Sequence, residues 1–254
     1  MELGLKGRTA IVTGASKGIG EACANTLARE GVSLFLVART LTDLDRLAVE
    51  LRSSHGVRVE TLALDLGLSE SVDQLVKAVP EVDILVNNAG AIPAGSIDMV
   101  DEVTWRQSWE LKVFGYINLM RAYNAAMRQR GKGVIVNILG AGGERPSATY
   151  AAGAGGNAAL MALTRAMGAV SSRYGVRILG INPGSIETDR LVTMLRQRAR
   201  ERFGDPARWR ELLDPNYPPG TPAQIADATA FLASDLSANT TGTILTIDGG
   251  HCAR

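Results

Sequence analysis

A chain of 254 residues, 46% of them hydrophobic, can build the core of one large α/β domain or two small ones. Its net charge of +1 gives no reason to expect nucleic acid or a membrane surface as the main partner. The two histidines, His55 in a polar loop and His251 near the C-terminus, argue against a Ser-His-Asp triad or a His-rich metal site.

The opening MELGLKGRTAIVTG runs straight into an apolar strand. It lacks the charged start, long apolar stretch and small-residue cleavage site of a signal peptide. That strand, 8–13, precedes a helix near 19–30. Strand 33–38 leads to helix 41–54, strand 58–64 to helix 69–79, and strand 83–87 to a long helix near 101–129. Strand 133–138 leads to a helix near 153–174, strand 176–182 to helices near 189–203 and 222–234, and strand 243–248 follows. Several strands are nearly continuous Val, Ile and Leu, as strands buried on both faces are. The alternation implies a seven-stranded parallel sheet with helices on both sides. Right-handed crossovers make it a doubly wound α/β fold in a single domain, residues 1–254. No apolar run reaches the roughly 18 residues of a membrane span. The Arg-rich irregular stretch 184–222 ends in YPPGTP, and its length points to a small helical lid at about 189–216. Cys23 and Cys252 make no disulfide framework, so a reducing cytoplasm is the expected location.

The first strand ends in TGASKGIG, residues 13–20, with Gly14, Gly18 and Gly20 spaced G-x-x-x-G-x-G. Glycine allows a tight turn and a close backbone approach, and the helix that follows points free N–H groups at a pyrophosphate. Placement between first strand and first helix makes this a dinucleotide site, with Ser16, Lys17 and Ile19 in the same loop. The second strand ends LVART, with Arg39 and no carboxylate for a ribose 2′-OH. Arg39 and Lys17 together suit a 2′-phosphate, so NADP(H) is the expected cofactor.

These motifs, with Asp65-Leu66, NNAG at 87–90, NPGSIET at 182–188 and TGTILTIDGG at 241–250, resemble the short-chain dehydrogenase/reductase family over almost the whole length. The resemblance implies a Rossmann-like domain. It implies that Asp65 and Leu66 border the adenine, and that Asn88, Ala89 and Gly90 pack on the adenosine ribose side. Pro183, Gly184, Ile186 and Thr188 would hold the nicotinamide end. It also implies a chemistry in which a Tyr moves the proton of the substrate oxygen, a Ser holds that oxygen, a Lys lowers the Tyr pKa, and an Asn holds a relay water. A phenol near pKa 10 needs such a cation to work at neutral pH.

This sequence departs from that set. With Trp105 and Gly115 as the frame, the Asn position holds Lys112, and the run Asn137-Ile138-Leu139-Gly140 puts Gly140 at the Ser position. Asn157-Ala158-Ala159 through Leu163-Thr164-Arg165 aligns without a gap, which places Asn157 at the Lys position and Gly153 at the Tyr position. A second frame keeps Tyr150 as the family tyrosine, needs a three-residue insertion, and leaves Ala154 where Lys belongs. The set is similar to a divergent 3-oxoacyl-carrier-protein-reductase-like subgroup.

Tyr150 remains the candidate proton donor, one helical turn before Gly153. Helical side chains lean toward the N-terminus, so Tyr150 reaches that space only through a local break, which Gly153, Gly155 and Gly156 would permit. Lys112 would supply the missing cation, Asn157 would bind the cofactor ribose, and Ser147 and Thr149 are spare hydroxyls. Gly140 and Gly153 would open volume for a bulkier substrate. The lid arginines would suit an anionic substrate such as an acyl thioester, and the family resemblance implies a homodimer or homotetramer. The competing reading is a non-catalytic NADP(H)-binding protein, acting as a sensor or partner subunit.

Overall fold

A computed structural model describes residues 2–253. Seven parallel strands form one sheet in the order β3-β2-β1-β4-β5-β6-β7. They are β1 (Thr9–Thr13), β2 (Ser33–Ala38), β3 (Val59–Ala63), β4 (Ile84–Asn87), β5 (Gly133–Ile138), β6 (Val176–Pro183) and β7 (Ile244–Ile247). β1, β4, β5 and β6 are almost wholly buried, as their Val-, Ile- and Leu-rich centres require. The strand order reverses beside β1, where β2 leaves to one side and β4 lies on the other. Ligands of doubly wound sheets bind at such a switch point, beyond the carboxyl ends of the strands.

The helices are α1 (Gly18–Arg29), α2 (Leu41–His55), α3 (Ser69–Ala78), α4 (Glu102–Trp109), α5 (Gly115–Arg130), α6 (Ala151–Ser171), α7 (Asp189–Phe203) and α8 (Pro222–Ala233). One apolar cluster joins Cys23, Leu27 and Ala230 to one face of the sheet. A second joins Leu75, Tyr116, Met120 and Leu160 to the other. No helix among the described residues is long and apolar enough to cross a membrane.

The single helix expected over 101–129 is instead interrupted. Residues Glu110–Phe114 form a π turn between α4 and α5, in which the Gly115 N–H donates to the Glu110 carbonyl. Such bulges redirect side chains and recur at functional sites. Here Lys112 lies in the bulge and is buried.

Beyond β6, α7 and a 3-10 turn (Pro206–Leu212) fold against each other around Leu191, Leu195, Ala199 and Trp209. This small cluster is separate from the two sheet cores.

Candidate active site

At the end of β1 the backbone turns through Gly14 (φ +64°) and Gly18 (φ +61°), a region that favours glycine. A β-carbon on Gly20 would strike the Gly14 carbonyl and lie 2.6 Å from Asn88 Nδ2. α1 therefore starts hard against the turn. Asn88 braces it: Nδ2 donates to the carbonyls of Thr13 at 3.0 Å and Gly14 at 3.2 Å. Thr13 Oγ1 accepts from the N–H groups of Asn88 at 2.9 Å and Ala89 at 3.1 Å. Gly90 lies over Lys112, where a β-carbon would come within 2.6 Å of Lys112 Cδ. In NNAG, then, Asn88 and Ala89 pin the glycine turn and Gly90 covers a buried amine.

The far end of the cradle closes on the same turn. Thr188 caps α7, and its methyl lies 3.3 Å from the place of a Gly18 β-carbon. Pro183 ends β6, Gly184 packs against Asp248, and Ile186 is buried and bridged to Gly220. Ser16 and Ile19 are half-buried in the turn, and Ile19 packs on the first core. Past β3, Leu66 is buried, and Asp65 accepts the Gly67 N–H at 3.0 Å. Arg39 and Asp65 line a cleft of about 790 Å³ that continues past Ile92 to Arg190. Among the described residues Lys17 and Arg39 make no ion pair, whereas Arg46, Arg106 and Arg208 each engage a glutamate. A bare glycine turn, a helix N-terminus and two unpaired cations fit a phosphorylated dinucleotide.

Tyr150 precedes α6 with φ −141° and ψ 42°, outside helical geometry. A backbone bridge fixes it there: the Gly95 N–H donates to the Thr149 carbonyl at 2.8 Å, and the Ala151 N–H to the Gly95 carbonyl at 3.1 Å. The ring turns back over Gly153, so that a β-carbon on Gly153 would fall inside it. A β-carbon on Gly142 would press on the same ring, 3.1 Å from Cδ1. Two glycines from different segments thus make a slot for one phenol.

This corrects two expectations. α6 does not break at its glycines; it runs unbroken from Ala151, and the departure from helical geometry is at Tyr150 itself. Gly155 and Gly156 instead admit the neighbouring helix, with Trp109 Cζ2 3.4 Å from a Gly155 β-carbon and Val113 Cγ2 3.1 Å from one on Gly156. Nor do Gly140 and Gly153 open free volume. The Tyr150 ring fills the second space, and the Asn157 amide stands at the first, with Nδ2 3.0 Å from the place of a Gly140 β-carbon.

Lys112 is 7% exposed and has no carboxylate partner among the described residues. Nζ donates to the Ile138 carbonyl at 2.6 Å and to the Tyr116 hydroxyl at 2.8 Å. Tyr116 Oη in turn donates to the Ile138 carbonyl at 3.0 Å. Burial, with a smaller push from the Arg190 charge, lowers the Lys112 pKa to about 7. No hydrogen bond joins Lys112 to Tyr150 among the described residues. Ser147 and Thr149 are exposed and spend their hydroxyls on each other, at 2.9 Å.

Two partners escape a reading of the sequence. Tyr116 is legible only as an apolar helix position. Glu144 accepts from Asn182 Nδ2 at 3.0 Å and from Thr246 Oγ1 at 2.6 Å, which ties the β5–α6 loop to β6 and β7. No local pattern links residues so far apart in the chain.

The arginines of α7 and of the 3-10 turn after it mostly lie away from the cleft. Arg196, Arg198 and Arg200 are exposed. Arg208 pairs with Glu211, and Arg210 lies over the Trp209 ring. Arg190 differs: it lines the cleft and donates to the Gly90 carbonyl at 3.3 Å.

A family model described as short chain dehydrogenase matches residues 8–199. Galactitol 2-dehydrogenase (L-tagatose-forming) of Cereibacter sphaeroides is 36% identical over 252 residues, covering 97% of this chain and 96% of that one. L-xylulose reductase of Mesocricetus auratus is 32% identical, with 98% of each chain covered. The crystal structure of L-sorbose reductase from Gluconobacter frateurii, complexed with NADPH and L-sorbose, superposes with a TM-score of 0.92 at 30% identity and covers 100% of both chains. The chain therefore belongs to the short-chain dehydrogenase family and is an oxidoreductase of the short-chain type.

Proposed function

We propose that this chain is an NADP(H)-dependent oxidoreductase that interconverts a ketone and a secondary alcohol on a sugar or polyol, with Tyr150 as its proton donor. The observation that carries the reading is the Tyr150 ring seated over Gly153, where the aligned family tyrosine would stand. Bound NADPH would supply a hydride to the carbonyl carbon. The chain's own part is to hold the carbonyl oxygen and give it the Tyr150 Oη proton, so that C=O becomes CH–OH.

Gly14, Ser16, Lys17, Gly18, Ile19 and Gly20 would cradle the pyrophosphate, with Asn88, Ala89 and Gly90 holding the turn in shape. Asp65 and Leu66 would border the adenine, and Pro183, Gly184, Ile186 and Thr188 the nicotinamide. Lys112 gives the site a cation that exchanges its proton near neutral pH, and Asn157 a neutral hydrogen-bonding group one turn along α6 from Gly153. α7 and the turn after it, about 189–216, act as the lid.

The relatives named above act on sugars and polyols, which supports a polyhydroxylated substrate. The solvent-facing arginines of α7 weaken the case for an anionic acyl thioester. The deciding assay is NADPH oxidation against ketoses and 3-oxoacyl thioesters in parallel, with NADPH affinity measured by calorimetry. Turnover of a ketose is expected. NADPH binding with no turnover of any compound would leave only the binding-protein reading.

Arg39 and Lys17 would take the 2′-phosphate. Arg39→Ala should raise the NADPH Kd by roughly 10- to 100-fold, the size of one charge-assisted contact, and leave the NADH Kd unchanged. Equal weakening of both would remove that role. We also infer a homodimer or homotetramer, because Val103, Phe114 and Val170 expose apolar surface along the α4–α6 face; light scattering reads the mass directly.

A further inference from the structure

Asn157 is an unusual buried residue. It is 3% exposed, yet its side chain makes no hydrogen bond to the described residues, and Oδ1 is among the buried atoms left without a partner. A buried amide oxygen left without a donor costs on the order of 1–3 kcal/mol; Nδ2 also lacks a partner but is not fully enclosed, so it stays open to an incoming acceptor. Neighbouring asparagines do not carry that cost in full: Asn137 Nδ2 donates to Thr164 Oγ1 at 3.0 Å, and Asn182 Nδ2 to Glu144 at 3.0 Å. Asn157 is thus held ready for a group the folded chain itself does not provide.

Its surroundings say where that group sits. Asn157 lies four residues after Gly153, so its side chain leans back along α6 toward the turn that carries the Tyr150 ring. The turn Ala141–Gly143 packs flat on this point of α6, with a Gly143 β-carbon place 2.8 Å from Asn157 Cβ. The amide nitrogen ends 3.0 Å from the β-carbon place of Gly140, the position whose family counterpart is the oxygen-holding serine. Gly142 of the same turn touches Tyr150. One turn therefore brings an unpartnered N–H donor and a phenol to the same short stretch of backbone.

Resting on the oxidoreductase reading above, we propose that Asn157 holds the substrate oxygen: its Nδ2 donates to the carbonyl that Tyr150 protonates, in place of the missing serine. This differs from a ribose contact, the role its sequence position alone suggests. The amide carries a donor that does not titrate, and a β-carbon on Gly140 would press on it, 3.0 Å from Nδ2.

The test is a set of variants read by kcat, ketone KM and NADPH Kd together. Asn157→Ala should lower kcat by about 100-fold, the scale of losing one oxygen-binding donor, and leave the NADPH Kd within about twofold. Asn157→Asp, which keeps the shape and loses the N–H, should fall as far. Adding Gly140→Ser to Asn157→Ala restores a hydroxyl donor at the serine place and should recover about tenfold of the loss. A purely structural role would not yield to that rescue. A raised NADPH Kd with unchanged kcat would overturn the proposal in favour of the ribose contact, and unchanged kcat and Kd would overturn it outright. Lack of turnover by the wild type on every ketone would overturn the oxidoreductase reading and this inference with it.

Discussion

Tyr150→Phe is expected to lower kcat by roughly 10²- to 10³-fold while NADPH affinity stays within about twofold, because it removes one proton donor and keeps the ring. The companion variant is Gly153→Ala. In an exposed helix interior this change gains up to about 1 kcal/mol from backbone entropy. Here the added methyl falls inside the Tyr150 ring, which must leave its slot between Gly142 and Gly153. Gly153→Ala should therefore lower both kcat and Tm, opposite to the propensity effect. Moving the phenol back by Tyr150→Ala with Gly153→Tyr places a hydroxyl on the helix where the family carries it, and should restore part of the lost kcat. Wild-type kcat in Tyr150→Phe would remove Tyr150 from the chemistry; wild-type Tm in Gly153→Ala would remove the slot.

The fold was open to reading because parallel strands advertise themselves as apolar runs, and the glycine turn because its spacing sits between a strand and a helix. The departures have nonlocal causes. The direction of the Tyr150 ring depends on one residue standing outside the helix, and that in turn on the backbone bridge to Gly95, a loop far away in sequence. Extending the helical pattern of 153–174 back to residue 150 points the ring the wrong way. Gly140 and Gly153 read as vacancies because a sequence lists what a residue lacks and not which neighbour fills the gap. The alignment singles out Lys112 in the middle helix, but its burial comes with the π bulge, which no helical period encodes. Arg-rich spacing over 190–210 points to an anionic ligand, and most of those side chains face solvent or pair locally.

Lys112 should make stability depend on pH in a direction opposite to that of a paired lysine. Its folded pKa is lowered to about 7 by burial and then by Arg190, while the unfolded chain binds that proton up to about pH 10.4. Between these values the unfolded state holds more protons than the folded state, so unfolding free energy rises with pH. The slope is about 1.4 kcal/mol per pH unit, and the full span is about 5 kcal/mol. Below pH 7 both states are protonated and the cost is constant and complete. Above about pH 10.4 both are neutral and it is absent. Lys112→Met keeps the length of the stem and removes the titration. Urea unfolding of both proteins from pH 6 to 10 should show the wild type gaining on the variant through that window. A constant difference would mean that the carbonyl of Ile138 and the hydroxyl of Tyr116 keep the ammonium charged at its ordinary pKa. A buried cation that destabilises the fold at neutral pH needs a reason to stay. Loss of kcat in Lys112→Met, with its stability raised at pH 7, would identify that reason as catalysis; equal kcat would leave Lys112 to the packing beneath Gly90.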